Sequence, residues 1–577
     1  MLTAKSLWWL MPEIVLVLTA VVLYLRGAFA RQSPEATGAG KTPATDPVGP
    51  MADGRSVQIA LVGVVVAGWA LARFRPPIEH SGPVLLDGLG QYVRWLSLAG
   101  VGFLVLLGSS GTAPRRLPEY LGTLLLAGAG VMLVAVADNL VLLFLGLELV
   151  SIPTYILLCV GRQDASGAEA AAKYFFLSLV ASALVLYGMS FLYGAGGSLE
   201  LKEIRARLAV SAWTEAGWVD FANLAVVLLL AGLGFKIAAV PFHFYAPDVY
   251  QGTSYPNAAL LSVAPKVAGF TALVRILVEA LPTGVEYGLA WRVLLALALL
   301  TMTVGNVVGL WQEHVRRLLA YSSIGQTGYI LAGLAVGLAG ADSAGRADGL
   351  AAVLLYLAVY AVATVGAFSV LESLRRTGQP VETLEDLGGL ARRRPWSAAW
   401  LSIFMFSLAG VPPLAGFWGK WAVVLGAIKT ALSASASPAQ TVWFMLLAVL
   451  TMVNAAVAAG YYLRLVAAVY FWPSVRAAGP AALTSPAVGA VLCGLLCVAI
   501  GLVPWPLWNA AGHAVEAFAY QPAAGSVASI GDWGPETSPL WFGGSVSGRS
   551  IPAGGSETAV FWLGGSAGGP PNRLGKL

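Results

Sequence analysis

Charge is scarce in this chain. Only 11% of its 577 residues are Asp, Glu, Lys or Arg, whereas a soluble protein of this size needs roughly 25% to cover its surface. With 58% of residues hydrophobic and a mean hydropathy of +0.76, that shortage excludes a soluble globular domain and points to an integral membrane protein. Cysteine is rarer still. Cys159, Cys493 and Cys497 all fall in apolar segments, and three thiols without a loop framework argue against structural disulfides. Cys493 and Cys497 share one helical face, where small buried apolar side chains are expected rather than a metal or redox pair. No Walker, Rossmann or HExxH pattern occurs, so no nucleotide, flavin or zinc site is expected. The net charge of +5 is spread between apolar runs and not gathered into a stripe that would bind nucleic acid.

Long apolar runs are what the chain has in abundance. Runs of spanning length lie at residues 7–25, 57–74, 92–107, 120–136, 140–160, 170–193, 221–245, 255–278, 291–311, 318–339, 350–371, 396–428, 442–470 and 488–507. That predicts an all-α polytopic membrane protein of about 14 transmembrane helices. The first run, roughly 19 residues, is too long for a signal-peptide core and is read as a retained helix. Loops after odd-numbered spans carry about 15 basic residues against about 8 after even-numbered ones, which places both termini outside the cytoplasm. The spans group into three N-terminal helices (1–115, with a flexible inserted loop at 26–56), two five-helix units (116–280 and 281–472) and a last helix (473–512). A Gly/Ser/Pro-rich tail, 513–577, is expected to be poorly ordered.

A few charges sit inside these runs: Glu148, Lys173, Lys236, Lys266 and Lys420. An ionisable side chain at bilayer depth costs at least about 2.5–3.5 kcal/mol, so such residues usually mark an ion or proton path. Around Lys236 the sequence reads AGLGFKIAAVPFHFYAPDVYQG, and Pro241 is expected to break the helix inside the membrane, freeing carbonyls beside a buried cation. Lys266, in NAALLSVAPKVAGFTALVR, lies too deep to reach either interface, so it needs a partner, water or loss of its proton. In LAGVPPLAGFWGKW, Pro412 and Pro413 repeat the break ahead of Lys420. Two broken helices with a lysine in each, about 180 residues apart, suggest two five-helix repeats of inverted topology. Glu148 has no basic residue at helical spacing, so its counter-charge is expected on another helix, with Lys236 the first candidate. Lys173 lies about a turn inside its span, where snorkelling to the interface rivals a tuning role. His243 follows the first break and is a candidate to pass protons between Lys236 and Lys266, while His80, His314 and His513 are read as interfacial.

GLELVSIPTY, KYFFLSLVASALVLYG, GFKIAAVPFHFYAPDVYQG, LSVAPKVAGF, RRLLAYSSIGQTGYIL and GVPPLAGFWGKW together resemble the antiporter-like membrane subunits of proton-pumping NADH-quinone oxidoreductase, most closely subunit N. The resemblance implies a bacterial inner-membrane subunit that couples NADH-to-quinone electron transfer elsewhere in a complex to outward proton pumping. It carries no redox chemistry or cofactor of its own; FMN, iron–sulfur clusters and quinone are expected in partner subunits. By the same resemblance Glu148 and Lys236 form a coupling pair, Lys266 is the central proton carrier, Lys420 the exit-side carrier and Lys173 an auxiliary charge. Gln326 stands where the family often has a histidine, so a relay there must run by water, with His314 or His243 as the candidate substitutes. A subunit of a multisubunit cation/proton antiporter, or a structural scaffold of the complex, are the alternatives.

Overall fold

The computed structural model describes residues 4–31, 50–73, 79–109, 116–161, 164–211, 216–281, 289–340, 343–376, 381–474 and 484–519. Most of the inserted loop and the tail therefore lie outside the described residues. The helix Met11–Arg31 runs past residue 25, and Trp505–Ala519 forms a separate helix across residue 513, where the sequence placed the start of the tail. Among the described residues the fold is helical, with one antiparallel hairpin, Glu79–Ser81 against Val84–Leu86.

Among the described residues, eleven helices are long and apolar enough to cross a membrane. The other three sequence spans are helical but fall short for physical reasons. The run 221–245 stops at Lys236, and 396–428 splits into Pro395–Ala409 and Ala415–Ala431. The third, Val315–Ala339, holds Ser322, Ser323, Gln326 and Thr327 in its middle. Two of these spans are thus the ones broken beside Lys236 and Lys420, while Glu148, Lys173 and Lys266 lie in helices of full spanning length.

Local signals set several helix ends. The Asp87 and Asp164 carboxylates accept from the third backbone N–H beyond them, Gly90 and Gly167, and so cap Gly88–Gly108 and Ala165–Gly196. Ser437 and Gln440 form a reciprocal capping box on Pro438–Phe471. Two elements form the centre of the packing. Every residue of Tyr255–Val274 is buried, and this helix widens into a π turn over Arg275–Ala280. The long Ser343–Arg376 helix is also largely enclosed. Peripheral helices instead turn Leu18, Val62, Phe176, Leu179 and Val449 outward, as a surface in contact with lipid does.

Candidate functional site

Both expected breaks are present. The first helix ends at Lys236, and the chain turns through residues 237–245 before helix Ala246–Gly252. Ala238 sits in the left-handed region at φ 58°, a conformation that costs an L-residue about 1–2 kcal/mol. The second break runs from Gly410, whose φ of +90° favours glycine, to Leu414. At that glycine a Cβ would stand 2.9 Å from Lys420 Cδ, so the lysine stem occupies the space a side chain would take.

Lys236 is buried against a carboxylate. Its Nζ donates to Ser151 Oγ at 2.7 Å and Ser182 Oγ at 3.3 Å, and it lies 3.4 Å from Glu148 Oε1. Ser182 in turn donates to the same Glu148 oxygen at 2.5 Å. The pair expected from sequence is thus brought together from helices Leu140–Gly161 and Ala216–Lys236, with two serines completing it. Among the described residues, no carboxylate hydrogen-bonds to Lys266. Its Nζ donates to Ser323 O, Ser323 Oγ and Thr327 Oγ1 at 2.5–2.7 Å, and it lies 5.5 Å from the centre of the Tyr360 ring. Lys420 donates to the carbonyls Leu408 O and Ala409 O at 2.9 and 2.7 Å, the acceptors freed by the second break, and sits over the Tyr329 ring.

One helix joins these lysines. Thr327 Oγ1, which receives Lys266, donates to Ile237 O, the carbonyl next after Lys236. Its neighbour Gln326 donates from Nε2 to Leu408 O at 3.1 Å, the carbonyl that also holds Lys420. Gln326 further donates to Tyr462 Oη and accepts from Tyr356 Oη. The polar middle of Val315–Ala339 therefore touches the first break, the central lysine and the second break in turn.

Other candidates lie elsewhere. The Lys173 side chain is 41% exposed and pairs with Glu169 at 2.7 Å and Asp248 at 3.1 Å, and Asp248 also takes Arg317 at 2.7 Å. Burial alone would raise the Asp248 carboxyl, but the hydrogen bonds from Lys173 and Arg317 outweigh it and hold the group below the usual carboxylate range. Lys173 is thus apolar only in its sequence surroundings. His243 is half-buried, its Nδ1 has no hydrogen-bond partner among the described residues, and no hydrogen bond joins it to Lys236 or Lys266. His314 precedes the Val315 helix, and its backbone bridges to Thr383. Cys493 and Cys497 are buried free thiols, and no group of three or more His, Cys, Asp or Glu able to hold a metal occurs among the described residues.

Comparison with known proteins bears on what this arrangement is. The profile described as NADH:quinone oxidoreductase/Mrp antiporter, TM, matches residues 137–451, the stretch that contains every lysine of the row. NADH-quinone oxidoreductase subunit N of Rhodospirillum rubrum is 37% identical over 465 residues, covering 80% of this chain and 87% of that protein. The chain belongs to the NADH-quinone oxidoreductase subunit N family. A chain of respiratory complex I from Thermus thermophilus, solved with bound aureothin, is 31% identical with a TM-score of 0.67, over 87% of this chain and 99% of that one. A chain of the Mrp complex from Dietzia shares the fold at a TM-score of 0.69 and 18% identity, over 88% of this chain and 97% of that one.

For a subunit N-type chain, two buried ionic groups outside the lysine row are notable because sequence reading passed over them. Arg94 is fully buried and forks onto Glu13 with bonds of 2.7 and 2.6 Å, while also donating to Trp9 O. Arg275, in the π turn, is fully buried between Asp87, with bonds of 2.7 Å to both oxygens, Glu279 at 2.5 Å and Ala135 O. Nearby, Asp138 holds His80 at 2.8 Å, and Lys202 meets the other ring nitrogen of that histidine at 2.5 Å. Burial raises the Asp138 carboxyl above the usual range, against the pull of His80, Lys202 and Arg275. Glu13, Arg94 and Arg275 lie within apolar runs as the lysines do. The rule that selected Lys266 selects them equally.

Proposed function

We infer that this chain is the proton-translocating, antiporter-like membrane subunit of an NADH-quinone oxidoreductase, and that its buried lysines form the proton path. The observation that carries the reading is the Val315–Ala339 helix, whose Thr327 and Gln326 link the surroundings of Lys236, Lys266 and Lys420. Glu148 and Lys236 act as the coupling pair, Lys266 as the central carrier and Lys420 as the exit-side carrier, with Lys173 and His243 auxiliary. Five-helix units at 116–280 and 281–472, a bacterial inner-membrane location with both termini outside the cytoplasm, and FMN, iron–sulfur clusters and quinone in partner subunits belong to the same reading.

The energetics ask for more than one pair. At an effective dielectric of about 20, opening the Glu148–Lys236 contact from 3.4 Å to about 8 Å weakens the attraction by about 3 kcal/mol. Lifting one proton against about 150 mV costs roughly 3.5 kcal/mol. One contact falls short, so hydration changes and the carriers along Lys266 and Lys420 supply the remainder. Gln326 cannot titrate near neutral pH, so it acts by orienting: its amide holds Leu408 O and two tyrosine hydroxyls while water carries the proton.

The Mrp-like fold makes a subunit of a multisubunit cation/proton antiporter the reading to test against. The chain, tagged and purified under mild conditions, is expected to bring down flavin- and iron–sulfur-containing subunits. Vesicles holding that assembly are expected to move protons on addition of NADH, with or without sodium. Sodium- or potassium-dependent exchange with no response to NADH would assign the chain to the antiporter class instead.

A further inference from the structure

Between the first two long helices, Met11–Arg31 and Pro50–Arg73, lies a groove of about 580 Å³ that the proton row does not touch. Its walls are Val15, Leu18 and Val22 on one side and Ile59, Val62 and Val66 on the other. Leu18, Val22, Val62 and Val66 are all exposed, between 43% and 60%. The helices close on each other at its floor, where a Cβ on Gly63 would fall 2.5 Å from the Thr19 side chain. One end of the groove is cationic, formed by Arg26 and Arg55. Arg26 Nε donates to Ser56 Oγ at 3.2 Å, which ties the two helices together and holds the guanidinium at the rim.

The dimensions narrow the occupant. From Val15 to Arg26, and again from Val66 to Arg55, the helices advance about eleven residues, or about 16 Å. That is half of the roughly 30 Å hydrocarbon core, the depth of one leaflet. A groove one leaflet long, apolar along its walls and carrying two guanidiniums at headgroup level, matches an acyl chain ending in a phosphate. A partner's transmembrane helix would need a seam across the whole bilayer, about 20 residues long. A free phosphate would use the arginines and leave the apolar walls without a role. Arginine also suits the anion, since its planar fork binds phosphate oxygens in pairs.

We propose that the Arg26–Arg55 groove is a binding site for an anionic phospholipid, its acyl chain along Val15–Val22 and Ile59–Val66 and its phosphodiester between the two guanidiniums. The site is independent of the lysine row and of the activity assigned to it. Each basic residue near the headgroup layer favours an anionic lipid by about five-fold, so two give up to about 30-fold.

The test is photocrosslinking in the assembled enzyme with Leu18→benzoylphenylalanine, in phosphatidylcholine vesicles carrying tracer phosphatidylglycerol or tracer phosphatidylcholine. Labelling by phosphatidylglycerol is expected to exceed labelling by phosphatidylcholine about ten-fold or more, R26Q/R55Q to remove the preference, and R26K/R55K to retain most of it. Equal labelling by the two lipids in the unsubstituted background overturns the proposal, as does a crosslink to another polypeptide in place of lipid. If R26Q/R55Q does not assemble, the tracer ratio with both arginines present, together with R26K/R55K, decides the matter.

Discussion

Lys266→Met is expected to cut NADH-driven proton uptake by reconstituted enzyme more than about ten-fold, a change that needs only about 1.4 kcal/mol on the barrier. Methionine keeps the stem volume and removes the proton site. The ammonium of Lys266 is enclosed, with Ser323 O, Ser323 Oγ and Thr327 Oγ1 as its acceptors. None of them is a carboxylate that would fix a permanent charge there. A lysine in such a place is suited to exist with and without its proton. Lys266→Arg separates a carrier from a packing cation, because guanidinium keeps the charge and does not release its proton in proteins. It is expected to be as impaired as Lys266→Met. Uptake near the wild-type rate in Lys266→Arg, beside a failing Lys266→Met, would make Lys266 a structural cation instead.

The second large effect concerns assembly. Arg275→Met is expected to destabilise the chain by about 3–5 kcal/mol, because it strands two buried carboxylates, Asp87 and Glu279. Asp87 has a further duty, accepting Gly90 N at the start of Gly88–Gly108, so the loss would spread to that helix. Adding D87N and E279Q to Arg275→Met is expected to recover most of the loss, since no buried charge then lacks a partner and asparagine still caps. Thermal unfolding of the solubilised enzyme, with the yield of assembled complex, reads both variants. An unchanged unfolding midpoint in Arg275→Met would show that the cluster carries no such energy.

Much of the lysine row could be read directly, because charge in an apolar run is a local signal. Lys236 and Lys420 stand beside proline breaks, Lys266 directly follows Pro265 within an unbroken helix, and Glu148 is the carboxylate found beside Lys236. What joins the row could not be read. Ser151, Ser182, Ser323 and Thr327 are ordinary in a membrane helix until partners from other helices face them. The role of Leu408 belongs to its carbonyl, which a helix break frees and no side chain announces. Lys173 shows the opposite limit. Its place about a turn inside the span left snorkelling open beside a tuning role, and the ammonium does reach Asp248 at a half-exposed edge. Arg275 lies inside the run 255–278, three residues from its end, and only the buried π turn and its carboxylate partners from other segments reveal it as enclosed.

The central claim is that these lysines carry protons and do more than pack the subunit. The most direct test replaces Lys236, Lys266 and Lys420 together by methionine and measures protons moved per NADH oxidised by the assembled enzyme in proteoliposomes. The account predicts that the triple variant assembles with its redox subunits but moves fewer protons per NADH, or stops oxidising NADH because the coupled step is blocked. An assembled triple variant with wild-type turnover and a wild-type proton-to-NADH ratio would contradict it.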